Sequence, residues 1–384
     1  MAEASAGIAN CLWLVCTLVA IIGCVYAGLA SFLIRRYARR TSPKLVAPEA
    51  VTLLKPLCGA EIHLLADLEA LCTQNYPGRV QLVCGIQDPA DPAIAVVERL
   101  RQAHPGADIS LVVSAIRHGE NPKISNVLNM MPSARHDTII LSDSDMSVGR
   151  TYVRDVVATL QQPGIGAVSC LYRGRAVGGI WSRLAASAVD CHFLPSVLVG
   201  LRFGLATPCF GSTIAMHRET LRQIGGFEAV RDVLADDYVI GDLVRQKGQQ
   251  VAVANFTIGH AFSETSFGEL VRHELRWART IRLLDPVGYA ASIVTHPLPF
   301  ALAAAALSGF SATSAMIMIG TLVCRMNVPL QVARLAGGSA GLVRYTPIRD
   351  LLSFAIFLVS LGPGPVSWRG SRFRVGPDGS LTQV

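Results

Sequence analysis

Lysine is scarce in this chain. Four lysines, at positions 44, 55, 123 and 247, stand among the 34 basic residues, and all other basic residues are arginine. The ten cysteines include no C-x-x-C pair and no metal-like spacing, which excludes a zinc site or a disulfide framework as the organising device. Most of them lie in apolar runs, where a cysteine acts as a small hydrophobe. No stretch interleaves aromatic with basic residues. The basic clusters flank apolar segments instead, so the net charge of +7 points to anionic lipid headgroups and not to nucleic acid. What the chain has in excess is apolar surface. With 51% hydrophobic residues and a mean hydropathy of +0.42 over 384 residues, it is too apolar for an ordinary soluble enzyme and too long for one small domain. The excess sits at the two ends, and the middle has an ordinary composition.

Residues 9–34 carry no charge and are long enough to span a bilayer. They lack a basic n-region and a small-x-small cleavage site and exceed a normal h-region, so they read as a retained anchor and not a signal peptide. Arg35, Arg36, Arg39 and Arg40 follow; by the positive-inside rule the amino terminus is outside and the central domain cytoplasmic. Residues 187–208 are apolar but contain Asp190, His192 and Arg202, charges that argue for an interfacial element and against a full span; His192 reads as structural there. Residues 288–324, with Pro297 and Pro299, provide two short spans or one long span with a kinked entry, and residues 350–366 are a further candidate broken by "GPGP" at 362–365. Three spans would put Arg369, Arg372 and Arg374 outside, against the same rule, so the number of carboxyl-terminal spans stays open between two and three. The expected layout is an anchor at 9–34, a globular domain at 48–285 and a membrane region at 288–384. Because the charges fall mainly in the globular part, a transporter is disfavoured.

Within the globular part the pattern alternates. "VTLLKPL" (51–57), "VQLVCGIQD" (80–88), "ISLVVSA" (109–115) and "TIIL" (138–141) read as strands. "EIHLLADLEALCTQ" (61–74) and "PAIAVVERLRQAH" (92–104) have helical spacing. Strand and helix in this order predict an α/β fold with a mostly parallel sheet, whose ligands bind beyond the carboxyl ends of the strands. Two acidic clusters fall at such ends: Asp88 with Asp91, and Asp143 with Asp145 in "SDSD". Alone, a D-x-D after a strand is a turn, because Asp and Ser side chains bond nearby backbone. It is also a pair of carboxylates on one side of an extended segment, suited to a hard divalent cation that takes the rest of its shell from phosphates. A third pair, Asp236 and Asp237, opens a helix, where the macrodipole favours acidic residues. "VRHELRWARTIR" (271–282) is an amphipathic helix with Arg272, Arg276 and Arg279 around Trp277.

In chain order, "LLKPLCG" (53–59), "NYPGRVQLVCGIQDPADPAI" (75–94), "NPKISN" (121–126), "DSD" (143–145), "GSTIAMHRETLRQIGGF" (211–227), "DDY" (236–238) and "LRW" (275–277) resemble the motifs of the ceramide glucosyltransferase family of inverting GT-A glycosyltransferases. The match covers about residues 50–285, and any one motif by itself is weak. The Ala-rich, short chain looks bacterial, and among bacterial members it most resembles the glycosyltransferases associated with hopanoid biosynthesis. The resemblance implies a GT-A (Rossmann-like) catalytic domain with flanking transmembrane helices, in a bacterial inner membrane with the catalytic domain facing the cytoplasm. It also implies transfer of glucose or N-acetylglucosamine from a UDP-sugar to a hydroxyl of a lipid acceptor, a bacteriohopanepolyol or a ceramide. Asp145 would be the direct ligand of Mg²⁺ or Mn²⁺, and Asp143 a contact to the metal or the ribose. Asp91, with Asp88 beside it, would meet uracil or ribose. Lys123 is either a nucleotide contact or an ordinary exposed lysine. Arg276 would bind phosphate, and Trp277 would pack on the acceptor or the sugar. Asp237 would be the general base, with Asp236 the alternative. His273 departs from the family, which usually has Gln or Arg there; it retains a hydrogen-bond donor. A polysaccharide synthase of the same superfamily would need more spans for a polymer channel. A non-catalytic membrane scaffold would be marked by loss of a carboxylate cluster, and all three are present. The sequence does not fix an oligomeric state.

Overall fold

The computed structural model describes residues 2–335, 340–362, 364, 366–368, 371–375 and 381–383. Along the chain come α1 (Ala2–Ala38), β1 (Val51–Pro56), α2 (Leu64–Cys72), β2 (Val80–Ile86), α3 (Ala93–Ala103), β3 (Asp108–Val113), α4 (Pro122–Met130), β4 (Thr138–Leu141), β5 (Met146–Ser147), α5 (Tyr152–Leu160), β6 (Ile165–Ala176), α6 (Ile180–Ala188) and α7 (Leu194–Phe203). They are followed by β7 (Ile214–His217), α8 (Arg218–Gln223), α9 (Asp236–Gln246), β8 (Gln250–Phe262), α10 (Phe267–Leu284), α11 (Pro286–Ala291), α12 (Pro297–Leu307), α13 (Ala312–Leu335) and α14 (Thr346–Ser360). The chain divides into two units. A sheet unit holds Arg40–Tyr172 and Thr207–Ala261; a helical unit holds the chain up to Arg39, Arg173–Ala206 and Phe262–Trp368.

The sheet unit is built on eight strands in the order β3-β2-β1-β4-β7-β6-β8-β5. The first four are parallel, as the alternating strand and helix pattern predicts. From β4 onward the pairings β4–β7, β7–β6 and β8–β5 are antiparallel, so the parallel half is joined to a second half that the strand pattern before residue 142 does not reach. All six residues of β1 are buried, as expected for a central strand covered on both faces. Leu54, Val83, Ile139 and Leu141 of the strands pack with Ile124 and Val127 of α4 and Ile240 and Val244 of α9 in one cluster. Burying each such side chain contributes about 1.5–3 kcal/mol relative to exposure. Helix α4 starts where the sequence dictates: Pro122 stands in its first turn, and the Asn121 side chain accepts from Ile124 N at 3.1 Å.

In the helical unit, α1 encloses the expected anchor. Among the described residues three helical stretches are long and apolar enough to cross a membrane: Gly7–Ala38, Ile180–Phe203 and Ala312–Leu335. The pair Pro286–Thr295 and Pro297–Leu307, bent by 55°, makes a fourth if counted as one. The stretch expected to be interfacial (187–208) therefore lies largely within a continuous helical run that passes by length and composition. The candidate at 350–366 forms only the 15-residue α14, short of the roughly 20 residues a span needs. Of "GPGP", positions 363 and 365 lie outside the described residues, as does Arg369. Polar side chains tie the helices of this unit together. Trp13 Nε1 donates to Ser314 Oγ (3.0 Å), Tyr26 OH and Ser196 Oγ meet at 2.9 Å, and Arg349 grips Glu274 with two bonds of 2.6 and 2.8 Å. Helix α10 begins at Ser266, which accepts from Glu269 N while Glu269 reaches back to Thr265 N (2.7 Å).

Candidate active site

The D-x-D sits where the chain leaves β4 and crosses the sheet to β5. Below it lies Lys55 of β1, 1% exposed. Its ammonium donates to Ser142 Oγ (3.3 Å), to the carbonyl of Asp143 and to Met146 O (3.5 Å), so one side-chain and two backbone oxygens of the acidic turn are held from beneath. Burial drives the Lys55 pKa down, against the pull of Asp145, Asp143, Asp67 and Glu61. Because β5 pairs with β8, Met146 stands opposite His260, and the His260 Nε2 lies 3.0 Å from Asp145 Oδ2. Ser144 Oγ donates to Glu61 Oε1 at 3.0 Å. Burial, then the Asp145 charge, raises the Glu61 carboxyl above its ordinary value.

The other side of the turn faces α4 and α9. Lys123 Nζ lies 2.9 Å from Asp143 Oδ1 and 3.0 Å from Asp236 Oδ2, joining the D-x-D to the acidic helix start. Asn121 Nδ2 also donates to Asp236 Oδ1, at 3.3 Å. Gly211 is the point where the two acidic clusters meet. Its N–H donates to Asp237 Oδ2 (2.9 Å) and its carbonyl accepts from Asp143 N (3.1 Å). A Cβ there would come within 2.6 Å of Asp143 Oδ2 and 2.9 Å of Lys123 Nζ, so only glycine fits this approach. Asp237 also accepts from Tyr238 N at 2.8 Å.

This geometry separates the two adjacent carboxylates. Asp236 is buried and ion-paired. Asp237, more exposed, is pushed up to about 6 by burial and then by the Asp236 charge, with Lys123 and its two backbone bonds pulling the other way. Neighbouring carboxylates with different environments are the usual way a site obtains a base poised near neutrality. Burial raises the Asp143 carboxyl, opposed by Lys123. For Lys123, burial works against the charge, but Asp143 and Asp236 outweigh it and hold its pKa above the ordinary value.

Five of the sequence-derived residues thus converge: Lys123, Asp143, Asp145, Asp236 and Asp237. Asp88 and Asp91 stand at the end of β2. Asp88 is exposed and accepts from Ala90 N (2.8 Å). Asp91 ties two segments together, accepting from Gly59 N and Ala93 N at 2.8 Å each. His273, Arg276 and Trp277 lie on α10 of the helical unit. The His273 ring meets Trp277 edge-on at 4.6 Å, and its Nδ1 faces Glu264 Oε1 at 2.6 Å. Sequence reading missed Lys55, Glu61, Gly211 and His260 as individual residues. Lys55 and Gly211 sit inside quoted motifs. Glu61 was absorbed into a helix, and His260 carries no local signal because β5–β8 pairing alone brings it to Asp145.

The carboxylates of Asp143 and Asp145 suit a hard divalent cation, and the His260 imidazole is bonded to Asp145 Oδ2. Among the described residues no three His, Cys, Asp or Glu side chains form a group that could hold a metal ion by themselves, so an ion held by the two carboxylates would need water and substrate oxygens for the rest of its shell.

Comparison with known proteins gives the fold and the family. A mannosyltransferase from Pyrobaculum calidifontis, solved with GDP-Man and Mn²⁺, shares the fold with a TM-score of 0.53 and 20% identity, over 91% of this chain and 97% of that one. Ceramide glucosyltransferase 1 of Caenorhabditis elegans is 21% identical over 95% of this chain and 81% of its own length. Ceramide glucosyltransferase 3 of the same organism is 25% identical over 69% and 59%. The model of the family described as glycosyl transferase family 21 matches residues 15–381, nearly the whole chain: the chain belongs to glycosyl transferase family 21 and is a glycosyltransferase.

Proposed function

We propose that this glycosyltransferase moves a sugar from a UDP-sugar to a hydroxyl of a lipid acceptor with inversion at the anomeric carbon. What supports the reading is the meeting of the D-x-D and the acidic helix start at Gly211, with Lys123 bonded to both clusters. In one displacement the acceptor hydroxyl gives its proton to Asp237, its oxygen bonds to the anomeric carbon, and the bond from that carbon to the diphosphate oxygen breaks, releasing UDP. A positioned base of this kind contributes about 10²–10⁴-fold. A divalent ion held by Asp145, with Asp143 as a further donor, would supply Lewis-acid neutralisation at the leaving diphosphate. Lys123 holds Asp143 and Asp236 in register across the site, and Lys55 keeps the turn from collapsing. Arg276 is assigned to phosphate, Trp277 to packing against sugar or acceptor, His273 to a hydrogen bond, and Asp88 and Asp91 to the nucleoside end.

The lipid acceptor follows from the apolar helical stretches of the chain and from the name of its curated relatives, which are ceramide glucosyltransferases. The sheet unit is assigned to the cytoplasmic side of a bacterial inner membrane, because Arg35, Arg36, Arg39 and Arg40 follow the first apolar helix. The test is UDP release by the purified full chain with UDP-glucose or UDP-N-acetylglucosamine and Mg²⁺ or Mn²⁺, with ceramide, bacteriohopanetetrol or no lipid. The expected product is a β-glycolipid, and its mass names the acceptor. UDP release that no lipid increases would overturn the acceptor reading.

A further inference from the structure

The helical unit contains a second cluster of charge that the chemistry above does not use. Arg325 stands inside α13, one of the stretches able to cross a membrane, and is fully buried. It meets Asp350 of α14 with two bonds, Nε to Oδ2 at 2.7 Å and Nη2 to Oδ1 at 2.8 Å. Nη2 also donates to the carbonyl of Cys191 at 3.0 Å. His192 completes the cluster, its Nε2 lying 3.1 Å from Asp350 Oδ1. Cys191 and His192 belong to a single π-helical turn, Val189–Phe193, between α6 and α7. The His296 ring lies 5.0 Å from that of His192, with Phe354 and Phe357 on its other contacts at 5.8 and 5.5 Å.

Three features set this cluster apart from a structural ion pair. Ionisable side chains within apolar spans are costly and mark functional sites by default. A π-turn inside a helical run is rare and recurs at functional sites. Most directly, three buried polar atoms on these touching side chains have no hydrogen-bond partner: Arg325 Nη1, His192 Nδ1 and His296 Nδ1. Orphaned buried polar atoms cost free energy, so three in one cluster call for a partner the chain does not supply.

The bonding pattern states what that partner is. Arg325 Nη2 donates to Asp350 and to the Cys191 carbonyl, and His192 Nε2 lies 3.2 Å from that Nη2 as well as 3.1 Å from Asp350 Oδ1. With the carboxylate already matched by the guanidinium, the imidazole is neutral, and its Nδ1 accepts or donates according to which ring nitrogen holds the proton. The open set is then a guanidinium donor and an imidazole nitrogen, around an ion pair with no net charge. An anion finds no excess positive charge there. A hydroxyl suits both, because it can accept from Arg325 Nη1 and can either donate to or accept from a neutral imidazole nitrogen.

We propose that the Arg325–Asp350–His192–His296 cluster is a hydroxyl-binding subsite for the polar head of the lipid acceptor. The proposal rests on the lipid-acceptor reading above and adds to it the recognition of a hydroxyl that does not react. The subsite selects hydroxylated lipids and leaves donor binding alone.

The test uses the full chain in phosphatidylcholine nanodiscs with UDP-glucose and two probe pairs: C8-ceramide with its 3-deoxy analogue, and bacteriohopanetetrol with an analogue lacking one internal hydroxyl. The variants are His192→Phe and His296→Phe; the second places an apolar ring where Phe354 and Phe357 already line the position, so folding is kept. For the parent lipid that wild type glycosylates, KM should rise about 5- to 10-fold in each variant, the worth of one or two neutral hydrogen bonds. The UDP-glucose KM should stay within about twofold, and discrimination between the parent and its deoxy analogue should disappear. Discrimination retained in both variants would overturn the proposal and leave the orphaned atoms to bound water. A parallel change in both KM values and in melting temperature would overturn it in favour of a purely structural knot. If wild type glycosylates neither parent, the lipid-acceptor reading itself falls and takes this proposal with it.

Discussion

The two units each gather acidic and basic side chains, but they bury them to different depths. In the sheet unit the Lys123–Asp143 pair is 12% and 32% exposed at its side chains, and its carboxylates stand at strand and helix ends. In the helical unit Arg325 and Asp350 are 0% exposed. A pair at a rim keeps access to water, so its partners can be exchanged for a metal ion or a diphosphate at small desolvation cost. A pair taken wholly out of water holds its geometry because each charge would be stranded without the other. The first pair can exchange its partners with solvent, and the second holds its own.

That contrast can be broken by substitution. The largest effect is expected at Asp350→Asn, which strands Arg325. Removing one member of a buried pair costs about 3–5 kcal/mol, read as lost resistance of the purified protein to thermal or SDS unfolding. Asp145→Asn should do the reverse, with unfolding near wild type and turnover reduced by about 10³-fold, the upper end for loss of one electrostatic stabiliser of a transition state. Full turnover in excess chelator would remove the metal assignment. Asp237→Asn keeps the side-chain shape and removes the proton acceptor; kcat should fall at least about 10²-fold while UDP-sugar still binds. Normal turnover there, with loss in Asp236→Asn, would shift the base by one residue.

The smallest effect concerns pH. A base works deprotonated, and the Asp237 carboxyl is pushed up to about 6 by burial and by Asp236. Turnover should be level above that value and fall about tenfold per unit below it. Lys123 holds that value down, so in Lys123→Met the acid limb should move to higher pH. A limb that stays in place would show that Lys123 does not govern the base.

The parallel half of the fold was legible before any coordinates. β1 to β4 are apolar runs of strand length separated by helical spacing, and each was found within about two residues of its expected limits. The antiparallel half was not: helices separate β6, β7 and β8 as well, but which strand pairs with which, and in which direction, depends on contacts distant in the chain. The same holds within the site. Asp143, Asp145, Asp236 and Asp237 announce themselves as local pairs. Glu61 and His260, which stand beside Ser144 and Asp145, look like ordinary helix and strand residues. The expectation that charge lies mainly outside the apolar helices has an exception at Arg325, which the fold buries against Asp350.

By itself the sequence determined the chemical class of the site: which carboxylates occur at strand and helix ends, and which segments are too apolar for water. Those properties are local, set by residue type, side-chain direction and spacing. Only the tertiary structure decided how the groups divide their work. Lys123 reaches both Asp143 and Asp236 because α4 and α9 pack in one core with β4, and that contact, with burial, makes one of two neighbouring aspartates an ion-pair partner and leaves the other with a carboxyl pushed up to about 6. Charge and desolvation act through space, so identical neighbours in the chain acquire different chemistry only once the fold has given each its own surroundings.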